Sequence, residues 1–241
     1  MAWKWYDTEI SRIEEMTATT RRFWLARQPE WEFEFKAGQF ITLDLPIHEK
    51  RLKRWRSYSL ANSPHDEGDL ELCIVKLDDG LASEYLFETA TIGTPIKFKG
   101  PAGAFTLSEA SRGELVFICT GTGIVPFRSM LKKMVADQQL NRPVHLIFGT
   151  RTEAGILYRK EMEALADQYP VFTYSVALSR EAETDFYSGY VHPIYEKAYA
   201  EVRPDVDFYI CGWSNMVDEA VAKLTGKMGY SKEQVHYELY G

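Results

Sequence analysis

The sequence predicts two domains: an antiparallel β-barrel over residues 1–110, then an α/β domain with a doubly wound parallel sheet over residues 111–241. Three observations carry this. Short runs rich in β-branched and aromatic residues recur through the first hundred positions, with one helical stretch among them. Near Ser108 to Gly113 the texture changes, and nearly unbroken apolar runs begin to alternate with helical patterns. A chain of 241 residues is also long enough to build two cores.

The first strands are Thr8 to Glu14 and Thr20 to Leu25. Gly38 to Leu45 alternates around Phe40 and is stopped by Pro46. Ser57 to Ala61 follows, then a turn at Ser63-Pro64-His65-Asp66-Glu67-Gly68 and a strand from Asp69 to Lys76. Leu81 to Ala90 is the barrel's helix, and Thr94 to Lys99 is a last strand ended by Gly100-Pro101. In the second domain, strand Glu114 to Thr120 leads to a helix from Ile124 to about Leu140, then strand Val144 to Gly149 and helix Tyr158 to Gln168. Strand Val171 to Leu178, a helix near Pro193 to Tyr199, strand Asp207 to Cys211, helix Asn215 to Met228 and strand Val235 to Leu239 complete the series. No internal repeat and no low-complexity segment interrupts it.

The formal net charge of −7 argues against a general nucleic-acid or membrane-surface role. One local exception is the basic run Lys50, Arg51, Lys53, Arg54 and Arg56. The amino-terminal stretch from Met1 lacks an apolar core, so no signal peptide is expected, and no apolar run is long enough to insert in a membrane. Cys73, Cys119 and Cys211 are sparse and odd in number, which fits a reducing, cytoplasmic setting and is too few for an iron–sulfur cluster. The five histidines show no metal spacing, so no metal is expected.

Two stretches carry chemistry. Arg56-Ser57-Tyr58-Ser59 puts a fixed cation, a flat ring and small hydroxyls within four residues. In a strand, Arg56 and Tyr58 share one face. A planar cofactor bearing phosphate needs such a set: a guanidinium for phosphate, a ring to stack on, a hydroxyl for a ring nitrogen. An ordinary strand with one snorkelling Arg reads the same four residues. Thr120-Gly121-Thr122-Gly123-Ile124-Val125-Pro126-Phe127 lies between an apolar strand and a helix. Glycines there let a pyrophosphate approach backbone N–H groups and the positive helix end. Pro126 stands where a third glycine would complete the dinucleotide fingerprint, and the first helical turn tolerates it. Ser179-Arg180 follows the strand ending at Leu178, where a hydroxyl and a guanidinium suit a 2′-phosphate, and Arg151 is a second candidate.

Arg56-Ser57-Tyr58-Ser59, Gly80-Leu81-Ala82-Ser83, Gly121 to Phe127 and Cys211-Gly212 occur in this order and cover nearly the whole chain. Together they resemble the signature motifs of the ferredoxin–NADP reductase superfamily. Tyr58 to Pro64 is similar to the reductase components of bacterial oxygenases, whose usual fused ferredoxin is not expected here. The resemblance implies a flavin-binding barrel and an NAD(P)-binding α/β domain, hence FAD and NADP, with NAD as the other coenzyme. It implies that Arg56 contacts the flavin phosphates, that Ser57 is among the FAD-binding residues, that Tyr58 stacks on the isoalloxazine, and that Ser59 lies near N5. Ile74-Val75-Lys76 would run along the flavin, and Gly80, Ala82 and Ser83 would hold its pyrophosphate. Thr120, Gly121, Thr122 and Gly123 would bind the dinucleotide, as would Arg151, Ser179, Arg180, Cys211 and Gly212. Cys211 and Glu238 would sit beside the nicotinamide, and Tyr240 would cover the flavin face. Ser59, Cys211, Glu238 and Tyr240 are thus the residues the resemblance implies in catalysis.

Trp213 and Ser214 depart from the family, which commonly has a small residue and a proline there; Ser214 is expected to cap the next helix. Gly189-Tyr190-Val191 looks more like the NADH-using oxygenase reductases, against Ser179-Arg180, which favours NADPH. The expected activity is hydride transfer from NADPH to FAD and single-electron delivery to a ferredoxin- or flavodoxin-like carrier, docked by the basic run. The alternatives are an NADH-dependent oxygenase reductase and a free-flavin reductase.

Overall fold

Strand pairing in the first half follows the alternation of side chains. In this computed structural model, residues 4–108, 110, 111 and 113–240 are described. The readings of Met1 to Trp3 and of Gly241 therefore lie outside the described residues. Six strands form one antiparallel sheet: β1 (Trp5–Thr17), β2 (Thr20–Leu25), β3 (Phe40–Asp44), β4 (Trp55–Ser59), β5 (Leu70–Val75) and β6 (Pro95–Ala102). Their order is β4-β3-β6-β1-β2-β5, and the bridge Leu60↔Leu72 joins the two outer strands into a barrel. Inside, Tyr6 stacks on Phe98 with ring centroids 5.1 Å apart, and Phe33 meets both edge-on. Full burial of side chains such as Phe23, Phe33, Ile41 and Phe98 stabilises the barrel by about 1.5–3 kcal/mol each.

β1 is longer than its apolar pattern predicts. Its polar end stays in the sheet because Glu14 and Glu15 lie opposite Arg22 and Arg21, a cross-strand charge pairing. β4 starts two residues early, because Trp55 takes the place opposite Asp44, and it ends at Ser59. The helix α1 (Leu81–Glu84) continues as one wider turn over Tyr85–Thr89.

The second half alternates strands and helices: β7 (Glu114–Thr120), α2 (Ile124–Ala136), β8 (Val144–Thr150), α3 (Arg159–Gln168), β9 (Phe172–Leu178), β10 (Tyr187–Ser188), α4 (His192–Ala198), β11 (Val206–Trp213), α5 (Ser214–Ala222) and β12 (Val235–Tyr240). All pairings are parallel, in the order β10-β9-β8-β7-β11-β12. Apolar residues on both sides of the central strands are covered, whereas Tyr187 of β10 and Tyr237 and Leu239 of β12, at the two edges, are exposed. Val116, Ile118, Phe208 and Ile210 form a core with Tyr195 of α4 and Val217, Ala220 of α5. On the opposite face, Phe117 stacks on Phe127 of α2 at 4.7 Å. α2 stops at Ala136 instead of near Leu140, because Gln138 takes a left-handed backbone (φ 57°). α5 begins at Ser214 itself; Trp213 is the residue before the first turn, so Ser214 is not the expected cap.

The chain falls into two units. One comprises the chain through Thr106 with Arg128–Lys133, the middle of α2; the other comprises Leu107–Phe127 and everything from Met134 on. No helix among the described residues is long and apolar enough to cross a membrane.

Candidate functional site

The barrel's expected flavin residues line a seam. β4 and β5 are the outer strands of the sheet, joined by the bridge Leu60↔Leu72. Arg56 to Ser59 lie on one side of that seam and Ile74 to Lys76 on the other. Strand edges carry backbone N–H and C=O groups that a ligand can use.

The strand pattern sorts the β4 side chains as expected. Tyr58 pairs with buried Ile41 and packs on the barrel core, while Ser57 faces the other way and its hydroxyl meets that of Thr42 at 3.0 Å. Burial pushes the Tyr58 phenol up to about 12, with the Arg56 cation opposing. Tyr58 is thus a neutral flat ring at neutral pH. The Arg56 guanidinium donates through Nη1 to the carbonyls of Lys53 (3.0 Å) and Trp55 (2.8 Å), and pairs with no carboxylate among the described residues. Its remaining N–H groups suit a phosphate. Ser59 is buried next to the bridge, and Ile74 is a member of the barrel core. Lys76 is paired with Glu88. Gly80 opens α1, Ala82 and Ser83 are buried in its first turn, and the Ser83 hydroxyl accepts the Leu77 N–H at 2.9 Å, tying the loop to the helix. A half-buried ring, a cation without an acid and a seam of strand edges fit a phosphate-bearing flavin such as FAD.

The expected dinucleotide residues gather at the carboxyl edge of the parallel sheet. The strand order reverses between β7 and β11, the position where open α/β sheets bind ligands. Thr120 ends β7, and Gly121, Thr122 and Gly123 form one tight turn before α2. A side chain at Gly123 would meet the Cys211 carbonyl at 2.2 Å, so only glycine lets the turn sit on β11. Thr120 Oγ1 is buried without a hydrogen-bond partner among the described residues. An orphaned hydroxyl, a glycine turn and the start of a 13-residue helix fit a pyrophosphate.

Two further expected residues are brought together beside it. Pairing between β8 and β9 continues past both strands: Ser179 N–H donates to the Thr150 carbonyl (3.0 Å) and Arg180 N–H to that of Arg151 (2.9 Å). Arg151 and Arg180 are exposed, and among the described residues neither pairs with a carboxylate. Gly189 and Tyr190 follow β10, an edge strand whose two residues were too few for a pattern to reveal.

Cys211 lies opposite Glu238, and the Tyr240 side chain hydrogen-bonds it. Burial pushes the Cys211 thiol well above its ordinary range; Glu238 and Cys119 act in the same sense, while Tyr240 opposes them. The group is therefore a neutral thiol, not a thiolate. Gly212 follows it, and Trp213 is half-exposed at the end of β11.

Sequence reasoning missed one cluster. Glu71 of β5 is buried between Arg22 (2.7 Å) and Arg128 (3.1 Å), and Arg128 also donates to the Ala61 carbonyl at 2.7 Å. Asn62 accepts the Glu71 N–H and donates to the Asp69 carbonyl. A charged residue within an apolar strand was the available signal.

Comparisons with known proteins give the family. The family described as "Oxidoreductase FAD-binding domain" matches residues 7–107, and "Oxidoreductase NAD-binding domain" matches residues 117–222. A ferredoxin–NADP reductase B from Sorangium cellulosum is 31% identical over 98% of this chain and 97% of that protein. The electron transfer component of toluate 1,2-dioxygenase from Pseudomonas putida is 30% identical over 98% of this chain and 67% of that protein. Among solved structures, a ferredoxin NADP+ reductase from Neisseria gonorrhoeae with bound FAD and NADP matches with a TM-score of 0.83 at 26% identity, covering 98% of both chains. Barrel, parallel sheet and these relatives lead to one placement: the chain belongs to the ferredoxin–NADP reductase superfamily, as an FAD- and NAD(P)-binding oxidoreductase.

Proposed function

We propose that this oxidoreductase takes electrons from NADPH through FAD to a separate one-electron carrier such as a ferredoxin or flavodoxin. Bound FAD supplies the exchange of a hydride for single electrons. Arg56, Tyr58, Ser59, Ile74 to Lys76 and the Gly80 to Ser83 turn orient the flavin. Thr120 to Gly123, Cys211 and Gly212 hold the dinucleotide, and the neutral Cys211 thiol and Glu238 line the nicotinamide end. Tyr240 is the aromatic group at that end. The paired backbone of Arg151 and Arg180 carries the coenzyme choice: two guanidinium groups on adjacent strand ends, beside the Ser179 hydroxyl, suit the 2′-phosphate that NADPH has and NADH lacks.

The test is spectroscopic. Purified protein is expected to show flavin absorbance that bleaches anaerobically with NADPH at far lower concentration than with NADH. Arg180→Ala should bring the two coenzymes together by weakening NADPH alone. Bleaching by NADH with NADPH ineffective would instead favour the reductase of an oxygenase, the reading supported by the toluate dioxygenase relative and by Gly189-Tyr190. FAD that dissociates on gel filtration would favour a free-flavin reductase.

A further inference from the structure

We propose that Trp213 is a binding residue of the dinucleotide site, its indole N–H donating a hydrogen bond to the coenzyme's pyrophosphate. The inference rests on the dinucleotide reading of the sheet's carboxyl edge. Trp213 stands where the chain departs from the expected small residue.

The geometry begins at Gly212. Its φ of 146° disfavours any side chain, and a Cβ there would lie 2.5 Å from Thr120 Oγ1 and 3.1 Å from Thr120 N. The peptide is therefore pressed against the end of β7, and the next residue is carried over the glycine turn. Gly121, at φ 52°, has open space where a side chain would be; beyond its chain neighbours, the one described atom within 4 Å is Trp213 Nε1 at 3.9 Å. The indole nitrogen thus stands at the rim of a notch formed by the absent side chain. It is a donor only, and among the described residues it has no acceptor. The neighbouring Thr120 hydroxyl is buried and equally unpartnered.

The indole N–H, beside a turn that presents backbone N–H groups, needs an anionic oxygen. A phosphate in the Gly121 notch supplies it. Trp213 is 47% exposed, so an acceptor reaches its N–H from solvent without displacing the core. A tryptophan here adds a side-chain donor where a small residue would leave the anion to the backbone alone.

Isothermal titration of the FAD-loaded protein tests this. The probes are the dinucleotide and its adenosine fragment: NADP+ against adenosine 2′-monophosphate, or NAD+ against adenosine should NAD+ bind tighter. Trp213→Phe keeps a ring and removes the donor. It is expected to weaken the dinucleotide about tenfold, as loss of a hydrogen bond to a charged group does, and to leave the fragment unchanged. Trp213→Ala should weaken it at least as much. Dinucleotide affinity in Trp213→Phe within about twofold of wild type would overturn the proposal. So would equal weakening of dinucleotide and fragment, which marks a general loosening of the loop. A wild-type protein that binds neither dinucleotide would refute the dinucleotide reading itself, and this proposal with it.

Discussion

Glu71 shows what one buried carboxylate does in this chain. Its side chain is about as inaccessible as that of Arg128, and both oxygens are engaged, one by Arg22 and one by Arg128. Replacing it with Ala takes from the buried Arg128 guanidinium its carboxylate partner, while Arg22 keeps the more exposed Glu14 beside it. Breaking a buried pair in this way costs about 3–5 kcal/mol. Glu71→Ala is therefore expected to lower the unfolding free energy from urea denaturation by that much, whereas Glu14→Ala, whose carboxylate is itself exposed, should lower it by under about 1 kcal/mol. Equal effects would show that the buried network contributes no more than a surface pair. The cysteines obey a second residue-scale rule. Cys73, Cys119 and Cys211 are all free and buried, and burial holds the Cys119 and Cys211 thiols protonated. A thiol-specific disulfide reagent at pH 8 should find well under one reactive group in the folded protein and all three in denaturant. Rapid labelling of Cys211 in the native state would contradict the neutral-thiol assignment.

Within the parallel sheet, His145 of β8 is fixed by its neighbours. Tyr199 donates to Glu114 at 2.6 Å, so its oxygen accepts from His145 Nδ1 at 2.9 Å, and Nε2 accepts from Ser175, also at 2.9 Å. That leaves a neutral imidazole, and burial lowers its pKa from the ordinary 6.5 against the pull of Glu114. The folded state then binds fewer protons than the unfolded chain below that value. Stability is fully present above pH 6.5 and is lost as pH falls towards the folded pKa. Urea midpoints should drop between about pH 7.5 and 5.5, and His145→Gln should reduce the slope. His192, lowered by burial as well, acts in the same direction. A flat profile over that range would rule the account out. Such elements also mark how far sequence alone carries. β2 and β7 are read residue for residue, because apolar and β-branched runs report burial directly. The glycine turn and Arg56-Ser57-Tyr58-Ser59 are legible because their chemistry is local. The charged tail of β1, the two-residue β10 and the Glu71 network are not, because each is decided by a partner distant in sequence. Trp213 shows as a departure in the sequence, but only the backbone of Gly212 reveals where its nitrogen points.

On the proposed function, charge at the scale of the whole molecule decides how a carrier approaches. The chain as a whole is acidic, at −7, so an acidic ferredoxin is repelled by most of its surface. The basic run between β3 and β4 is the local exception, and the structure divides it. Arg54 is tied to Asp44 at 2.7 Å, and Arg56 is turned onto backbone carbonyls. Lys50, Arg51 and Lys53 remain exposed around a single helical turn, with Leu52 at 74% exposure among them. Arg51 lies over the Trp5 and Trp55 rings, and Lys99 sits 3.6 Å above Trp55, which adds a fourth cation to the same patch. A patch with an apolar centre and cations at its rim suits an acidic protein partner, for which the cations steer and the apolar centre holds. On the proposed function, reversing Lys50, Arg51 and Lys53 to Glu should lower kcat/KM for an acidic plant-type ferredoxin about tenfold or more and abolish its fall with ionic strength. Reduction of benzoquinone, an uncharged acceptor, should be unchanged, because Arg54 and Arg56 keep their structural contacts. Equal loss with both acceptors would place the defect in the flavin's surroundings and exclude this patch as the docking surface.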